Sequence, residues 1–308
     1  MSPRGAELPS PPRGASTPPE ASATALQTRG AVAFLTPSLL LIGVFLVFPA
    51  LWTLYLGITD YRLTGIQAAQ PQVIGLDNYT SALGDPQFAN SLWVTLLYVL
   101  GSAVVGQLGL GFALAWTFRR WRGPARNALE VLVITAWIIP SSVVAFLWIA
   151  FLDTHNGTLN AALGNADIPW LFSWPLLSIV VFNTWRGTAF SMLLCGGALN
   201  TLPPSHLETA RLAGASSWQQ LRDIVLPSIR GHILTNLLLI SLWTFNDFTP
   251  YLITAGGPNF ATDTLPVYIF RNALINFQLG YGAAISAILL VINLVIALVY
   301  LRLLRARS

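Results

Sequence analysis

Charged side chains are scarce in this sequence, and every one of its 16 basic residues is an arginine. Of the 308 residues only 9% are charged and 54% are hydrophobic, which leaves too few polar side chains to cover a soluble core of that size. The lone cysteine, Cys195, excludes a disulfide framework within the chain. The three histidines are scattered without ligand spacing, so no metal site is expected. These absences favour the bilayer as the main solvent.

Long apolar runs are what the sequence has instead. A helix needs roughly 20 apolar residues to cross about 30 Å of hydrocarbon. Six stretches meet that length, and they predict an all-α membrane protein with six transmembrane helices at about 31–57, 91–117, 129–152, 175–199, 233–254 and 281–303.

The arginines predict the orientation of these spans. Positive residues are enriched in cytoplasmic loops, and here only Arg62 and Arg271 fall on one side of the membrane, while Arg186 lies within a span. The other arginines share the opposite side, so both termini are predicted to be cytoplasmic. Because the cations flank spans, the pI of about 9.6 does not indicate nucleic acid as a partner.

The chain divides by composition into two parts. Residues 1–29 are rich in Pro, Ser and Ala and predict a disordered cytoplasmic tail. Residues 30–308 form the predicted transmembrane domain, whose first apolar run is too long for a cleaved signal. Pro140 should kink the third span, and glycines in the second and fourth spans should let helices approach closely.

A polar stretch, residues 203–230, interrupts the apolar runs. Ser205 with Glu208 has the spacing of a capping box, and a helix is predicted from about His206 to Ala213. Gly214 suits the left-handed conformation that ends a helix. The stretch therefore begins as a helix followed by a glycine turn.

The second half of the stretch repeats the pattern. Ser217 with Gln220 forms another capping-box spacing, so a second helix is predicted near Trp218. Pro227 should bend or stop that helix. The prediction is a helix, a glycine turn and a helix on the cytoplasmic side.

One face of this element carries almost no side chains. Ala210, Ala213, Gly214 and Ala215 leave a shallow surface that suits a helix seated in the groove of another protein. The alternative is an amphipathic helix resting on lipid headgroups. The stretch lacks the dense cationic face of that class, which favours docking.

The stretch "ETARLAGA" (208–215), followed by "IVLP" (224–227), resembles the cytoplasmic EAA loop of membrane subunits of binding-protein-dependent ABC importers. In that family the loop forms coupling helices that seat in a cleft of the ATP-hydrolysing subunit. The motif positions correspond to Glu208, Ala210, Gly214, Leu226 and Pro227. Thr209 stands where the family usually has Ala, and Ala213 where it usually has Asp.

The resemblance extends to the sugar-importing, maltose-type branch of the family. "TWRGTAFSM" (184–192) resembles its fourth span, and "FNDF" (245–248), "TAGGP" (254–258) and "TDTL" (262–265) resemble its fifth span and the following outer loop. The resemblance implies the type I ABC importer permease fold in a prokaryotic inner membrane. It also implies a second permease subunit, two ATP-binding subunits that use ATP and Mg, and an external substrate-binding protein. This chain itself is expected to bind no cofactor.

Two charged residues within the spans mark a candidate substrate pathway. By helical rise, Arg186 and Asp247 lie at depths that differ by only roughly 6 Å, and intramembrane charges usually face a partner or a wet cavity. We hypothesise that they pair, or nearly pair; their role is either substrate contact or helix packing. Neighbouring polar and aromatic residues suit a sugar and complete the candidate set: Asn183, Trp185, Thr244, Phe245, Asn246 and Tyr251.

Other functions find less support. A membrane-embedded enzyme needs a nucleophile, base or metal set, and the sequence shows neither such a set nor the GxxxxGK[ST] loop of an ATPase. A channel would conduct without ATP or partners. Within the transporter class, a polyamine or organic anion is the alternative to a sugar, oligosaccharide or polyol.

Overall fold

The computed structural model describes residues 34–305, most of which are helical. This range contains no β-strand, and Thr59 and Val73 form only an isolated antiparallel bridge. The described residues divide into two compact units, one that ends at Trp52 and one that begins at Thr53. The predicted tail, residues 1–29, lies outside the described residues.

The helices of the described range are numbered in chain order. The first seven are α1 Phe34–Gly57, α2 Ile66–Ala69, α3 Asp77–Gly84, α4 Pro86–Arg120, α5 Pro124–Ile138, α6 Ser141–Phe151 and α7 Thr158–Ala162. The others are α8 Trp170–Ser173, α9 Pro175–Asn200, α10 Pro204–Leu212, α11 Ser217–Phe245, α12 Thr249–Thr254, α13 Leu265–Ile275 and α14 Leu279–Arg305.

Fewer helices than the six predicted are apolar enough to cross a membrane by length and composition alone. Within residues 34–305, four qualify, α1, α4, α11 and α14, and the bent pair α5 and α6 makes a fifth if counted as one span. The predicted fourth span corresponds to α9, which has 26 residues. Polar side chains such as Asn183 and Arg186 lower the hydropathy of α9.

The predicted break at Pro140 is confirmed. The chain direction bends by 108° between α5 and α6. Ile139 has an extended backbone with ψ 134°, as expected for a residue whose helical conformation clashes with a following proline ring. The third predicted span is therefore two helices.

The predicted fifth span, 233–254, does not coincide with a single helix, and its limits in the membrane stay a prediction. α11 begins at Ser217 and continues to Phe245. The backbone then leaves the helix at residues 246–248 and resumes as α12, Thr249–Thr254.

α9 lies at the centre of the second unit, in contact with α4, α5 and α11. At Gly111 an added Cβ would lie 2.5 Å from the Ser191 Cβ, and at Gly106 it would lie 2.1 Å from the Thr184 Oγ1. Only glycine lets α4 approach α9 this closely. The prediction of close packing is confirmed at these two glycines but not at Gly109, Gly196 or Gly197, where nothing lies within 4 Å.

Two clusters of buried apolar side chains mark the two ends of the second unit. Phe118, Leu199, Leu207 and Val225 pack together near the turn after α10, and we call this the loop end. Phe88, Leu265, Tyr268 and Ile285 belong to another of the three clusters among the described residues, which marks the far end.

Candidate functional site

A short polar turn joins α10 to α11 at the loop end. Gly214 has φ 83°, and the Ala215 N–H donates to the Ala210 carbonyl at 2.9 Å while the Gly214 N–H donates to the Arg211 carbonyl at 3.0 Å. This is the hydrogen-bond pattern of a Schellman motif, which needs a left-handed residue after the helix. The predicted helix, glycine turn and helix are confirmed.

The predicted caps of both helices are misplaced. α10 starts at Pro204, and no side chain caps it, so Ser205 is not an N-cap. Proline suits the first helical position, because that N–H has no helical partner. The second capping box is formed by Ser216 and Gln219, one residue earlier than predicted.

Pro227 does not stop the second helix, although a bend or a stop was predicted there. α11 continues through it for 29 residues in all. The segment directly before it, Gln220–Val225, is π-helical. The wider turn leaves room for a ring that would clash with the carbonyl four residues back in an α-helix.

The turn is anchored on one side and exposed on the other. Leu207 is only 6% exposed and packs into the loop-end core, whereas Leu212 is 91% and Trp218 64% exposed. Of the residues predicted to contact an ATPase, those exposed are Glu208, Ala213, Gly214 and Pro227, and those half-buried are Ala210, Ala215 and Leu226. We call Pro204–Gln219 the coupling turn.

A second feature is a partly open cavity between the long helices, lined by both polar and aromatic side chains. Its volume is about 320 Å³, which lies at the lower end of the range for small-molecule sites. Four helices contribute its lining residues: Gln107 of α4, Trp137 of α5, Asn183, Arg186 and Gly187 of α9, and Trp243 and Thr244 of α11, with Asp247 beyond its end. We call it the central cavity.

Hydrogen bonds between helices fix the polar wall of this cavity. The Asn183 amide donates to the Ser102 Oγ at 2.7 Å and to the Thr244 Oγ1 at 3.3 Å. The Gln107 amide donates to the Asn183 carbonyl at 3.1 Å. Because these groups are buried and mutually satisfied, they hold α4, α9 and α11 in one register.

Asp247 caps the break after α11. Its Oδ1 accepts from the Thr249 N–H at 3.0 Å and from the Thr249 Oγ1 at 2.6 Å, and its Oδ2 accepts from the Tyr98 hydroxyl at 2.7 Å. The carboxylate thus satisfies a donor at the start of α12 and ties α4 to the break. Both oxygens already have protein partners.

Arg186 lines the same cavity as Asp247, but the two side chains form no ion pair within 4.0 Å among the described residues. The Arg186 Nε is buried and has no hydrogen-bond acceptor in the described part of the chain. A buried guanidinium nitrogen without an acceptor is costly, so this donor is unsatisfied within the described residues.

The eight predicted pathway residues separate into two groups. Asn183, Arg186, Thr244 and Asp247 line the central cavity. The others lie elsewhere: Trp185 stacks on Trp148, Phe245 is in the far-end core, Asn246 is exposed and donates to the Leu242 carbonyl, and Tyr251 stacks on Phe248. Of the predicted residues after Thr244, only Asp247 lines the central cavity.

Sequence reasoning missed several residues of this site. Gln107, Trp137, Gly187 and the Asp247 partner Tyr98 were not predicted. An amide in the middle of an apolar run is a usable signal for Gln107, because a polar group in a span needs a partner. Tyr98 and Trp137 carry no such signal, since aromatic residues are common in spans.

A buried carboxylate joins separate segments at the far end. Asp263 is fully buried and accepts hydrogen bonds from Gln87 and Ser91, each at 3.1 Å, and from the Arg271 Nη2 at 2.6 Å. Burial raises the pKa of the Asp263 carboxyl, and the Arg271 charge opposes that rise. This carboxylate holds the segment after α12 against the start of α4.

We expect Asp263→Ala to destabilise the chain by about 3 kcal/mol or more, because it leaves the largely buried Arg271 without its partner. Thermal unfolding can be followed with a thiol-reactive fluorophore, since the single cysteine, Cys195, is buried. Asp223→Ala is the control. Asp223 pairs with Arg222 at the surface, so this substitution should change the unfolding temperature little. Equal unfolding temperatures for Asp263→Ala and the unsubstituted chain would contradict this role.

Comparison with known proteins places these features in a family. The family model described as "Binding-protein-dependent transport system inner membrane component" matches residues 107–308. The sulfoquinovosyl glycerol transport system permease protein SmoG of Agrobacterium fabrum is 30% identical over 290 residues, covering 90% of this chain and 91% of SmoG. The inner membrane ABC transporter permease protein YcjO of Escherichia coli is 31% identical, covering 85% of this chain and 89% of YcjO.

A solved structure shares the fold. The bacterial ABC transporter involved in the import of the acidic polysaccharide alginate has a chain that superposes with a TM-score of 0.74 at 21% identity, covering 93% of this chain and 99% of its own. The all-helical architecture of residues 34–305 is thus the type I ABC importer permease fold. With the family match over residues 107–308, the chain belongs to the inner-membrane components of binding-protein-dependent transport systems.

Proposed function

We propose that this chain is one transmembrane subunit of an ATP-driven importer that carries a sugar, oligosaccharide or polyol into the cytoplasm by alternating access. The observation that carries the proposal is the coupling turn, which presents small and exposed residues at one end of the unit that contains the central cavity. SmoG is named for sulfoquinovosyl glycerol, and the superposed transporter imports a polysaccharide. These names support a sugar as the substrate class.

The proposed topology has six spans, with α9 and the bent pair counted as one span each. A helix of 26 residues is about 39 Å long, enough to cross the membrane, and its Asn183 side chain has protein partners. Both termini and the coupling turn are placed in the cytoplasm of a prokaryotic cell. The arginines support this, because Arg119 and Arg126 lie at the loop end and Arg62 at the far end.

The coupling turn is the proposed contact with a separate ATPase. The chain has no phosphate loop of its own, so ATP and Mg belong to two ATP-binding subunits below the loop end. Their closure would pull the coupling turn, and α11 would carry the movement to the central cavity because it is one unbroken helix from Ser217 to Phe245. No catalytic residue is assigned to this chain.

The central cavity is the proposed substrate site. Amide, hydroxyl and guanidinium groups line it beside two tryptophan rings, and this mixture suits the hydroxyls and C–H faces of a sugar. Arg186 supplies an unpaired donor. Asp247 and Asn183 act mainly by positioning, since their side chains already bind protein partners.

A second candidate substrate is an organic anion, and the unpaired Arg186 Nε is the observation in its favour. A polyamine would need free carboxylates, and both oxygens of Asp247 are occupied. An acidic sugar would satisfy both the sugar and the anion interpretation.

The remaining partners are proposed from the family. A second permease subunit would complete the pathway, and a substrate-binding protein would dock on the far end, around residues 58–90, 153–174 and 255–280. Affinity purification from native membranes should recover an ATP-binding subunit and a second permease. A chain that purifies alone would contradict the proposal.

The substrate is found by uptake into vesicles that contain the purified complex and its binding protein. The panel comprises labelled neutral mono- and disaccharides, glycerol glycosides, uronic acids and spermidine. We expect ATP-dependent uptake of a member that contains a sugar. Uptake of spermidine alone would overturn the substrate class and leave the importer assignment intact.

A further inference from the structure

A second cavity lies at the loop end, on three of the helices that line the central cavity, α4, α5 and α9. On α5, Trp137 lines the central cavity, and Glu130 and Arg126 line the second one, about two and three helical turns away. On α9, Arg186 lines the central cavity and Gly197 the second. Residues at such spacings share one helix face, so both cavities open on one seam between α5 and α9.

Three aromatic rings close this seam between the cavities. The Phe190 ring centroid lies 4.6 Å from that of Trp243 and 5.8 Å from that of Trp137. Phe190 is one turn beyond Arg186 on α9, and Trp137 and Trp243 line the central cavity. A molecule moving along the seam toward the loop end must therefore displace the Phe190 ring.

The second cavity offers unsatisfied hydrogen-bond donors. Its volume is about 270 Å³, and the Arg119 Nη1 and Arg126 Nε are buried there without acceptors among the described residues. The Arg126 Nη2 is paired with the Glu130 carboxylate at 2.9 Å. At Gly197 an added Cβ would meet nothing within 4 Å, so the space beside α9 is open.

This chemistry matches a sugar better than a lone anion or an apolar chain. Hydroxyl oxygens can accept from the two guanidinium groups, and a hydroxyl hydrogen can be donated to the Glu130 carboxylate. That carboxylate would repel a simple anion, and unpaired guanidinium nitrogens gain nothing from a lipid tail.

We propose that the second cavity is a second sugar-binding station on the transport pathway, reached when the Phe190 ring leaves the seam. The sugar would pass from the central cavity, past the aromatic rings, to the donors of Arg119 and Arg126. This inference rests on the proposed function, because it takes the central cavity as the first station.

The test uses cysteine labelling in the assembled transporter. Cys195→Ala removes the single cysteine, and Gly197→Cys then places a thiol in the second cavity. Gly109→Cys is the matched control, since it also has nothing within 4 Å but lines neither cavity. A charged, water-soluble thiol reagent is applied to membrane vesicles from the loop side.

We expect the thiol of the Gly197→Cys variant to react with the charged reagent and that of the Gly109→Cys variant to remain unmodified. The panel sugar with the highest uptake should slow labelling of the Gly197→Cys variant about tenfold when present at about ten times its Kd. Arg119→Gln with Arg126→Gln should abolish this protection. A Gly197→Cys thiol that reacts only with a lipid-soluble reagent, or that the sugar never protects, would overturn the proposal.

A second labelling experiment needs no substrate and tests whether the Phe190 ring separates the two cavities. With the reagent on the far side of the membrane, the Gly197→Cys variant should stay unmodified unless Phe190→Ala is also present. If no panel sugar is transported, the proposed function fails, yet this experiment still reports whether the two cavities are separated at Phe190. Equal far-side labelling with and without Phe190→Ala would contradict the barrier.

Discussion

Replacing Ala213 with Trp is expected to abolish ATP-driven uptake and to reduce recovery of the ATP-binding subunit about tenfold or more, which corresponds to a loss of about 1.4 kcal/mol or more of binding free energy. Ala213 is exposed and has φ −79°, so the new side chain causes no backbone strain. It would instead fill the shallow surface that the partner must approach. Co-purification and vesicle uptake measure the two effects.

Gly231→Trp is the matched control for this substitution. Gly231 is exposed on α11, and an added Cβ there meets nothing within 4 Å, but it lies outside the coupling turn. Recovery of the ATP-binding subunit should be unchanged. If Ala213→Trp retains both the partner and uptake, the coupling turn is not the docking surface.

Arg186→Gln is expected to raise the KM for uptake about 10- to 100-fold, because a hydrogen bond from a charged donor contributes about 1.5–3 kcal/mol. The maximal rate and recovery of the complex should change less, since Arg186 has no ion-pair partner among the described residues whose loss would disturb packing. Initial rates of uptake measured over a range of substrate concentrations separate the effect on KM from the effect on the maximal rate.

Trp185→Phe is the control beside it. Trp185 stacks on Trp148 with centroids 5.8 Å apart and does not line the central cavity, so its KM should stay near that of the unsubstituted chain. Arg186→Lys should recover part of the lost affinity if the charge matters. A normal KM for Arg186→Gln would remove Arg186 from the substrate site.

The turn after α10 could be predicted from neighbouring residues alone. Gly214 was predicted to end a helix in the left-handed conformation, and it does so with φ 83°. Such a turn depends on hydrogen bonds between residues at most five apart, which the sequence displays directly. The N-cap of α10 was not predicted correctly, because the helix begins at Pro204, with Pro203 rather than Ser205 at the N-cap position.

The course of α11 shows where local rules fail. A proline inside a helical pattern normally ends or kinks it, yet α11 passes through Pro227 by widening its preceding turn. Val225 and Ile229 on either side are fully buried in the loop-end core. Packing of these side chains favours a continuous helix, and the residues next to Pro227 in the sequence do not indicate that packing.

The sequence alone determined the solvent, the helical class, the break at Pro140 and the turn at Gly214, because hydropathy and backbone preference depend on a residue and its near neighbours. The tertiary structure decided which polar groups meet. Gln107 reaches the Asn183 carbonyl from 76 residues away, and Tyr98 reaches Asp247 from 149 residues away. Such convergence depends on how each helix is rotated, and close contacts such as Gly106 with Thr184 fix that rotation only when the helices pack.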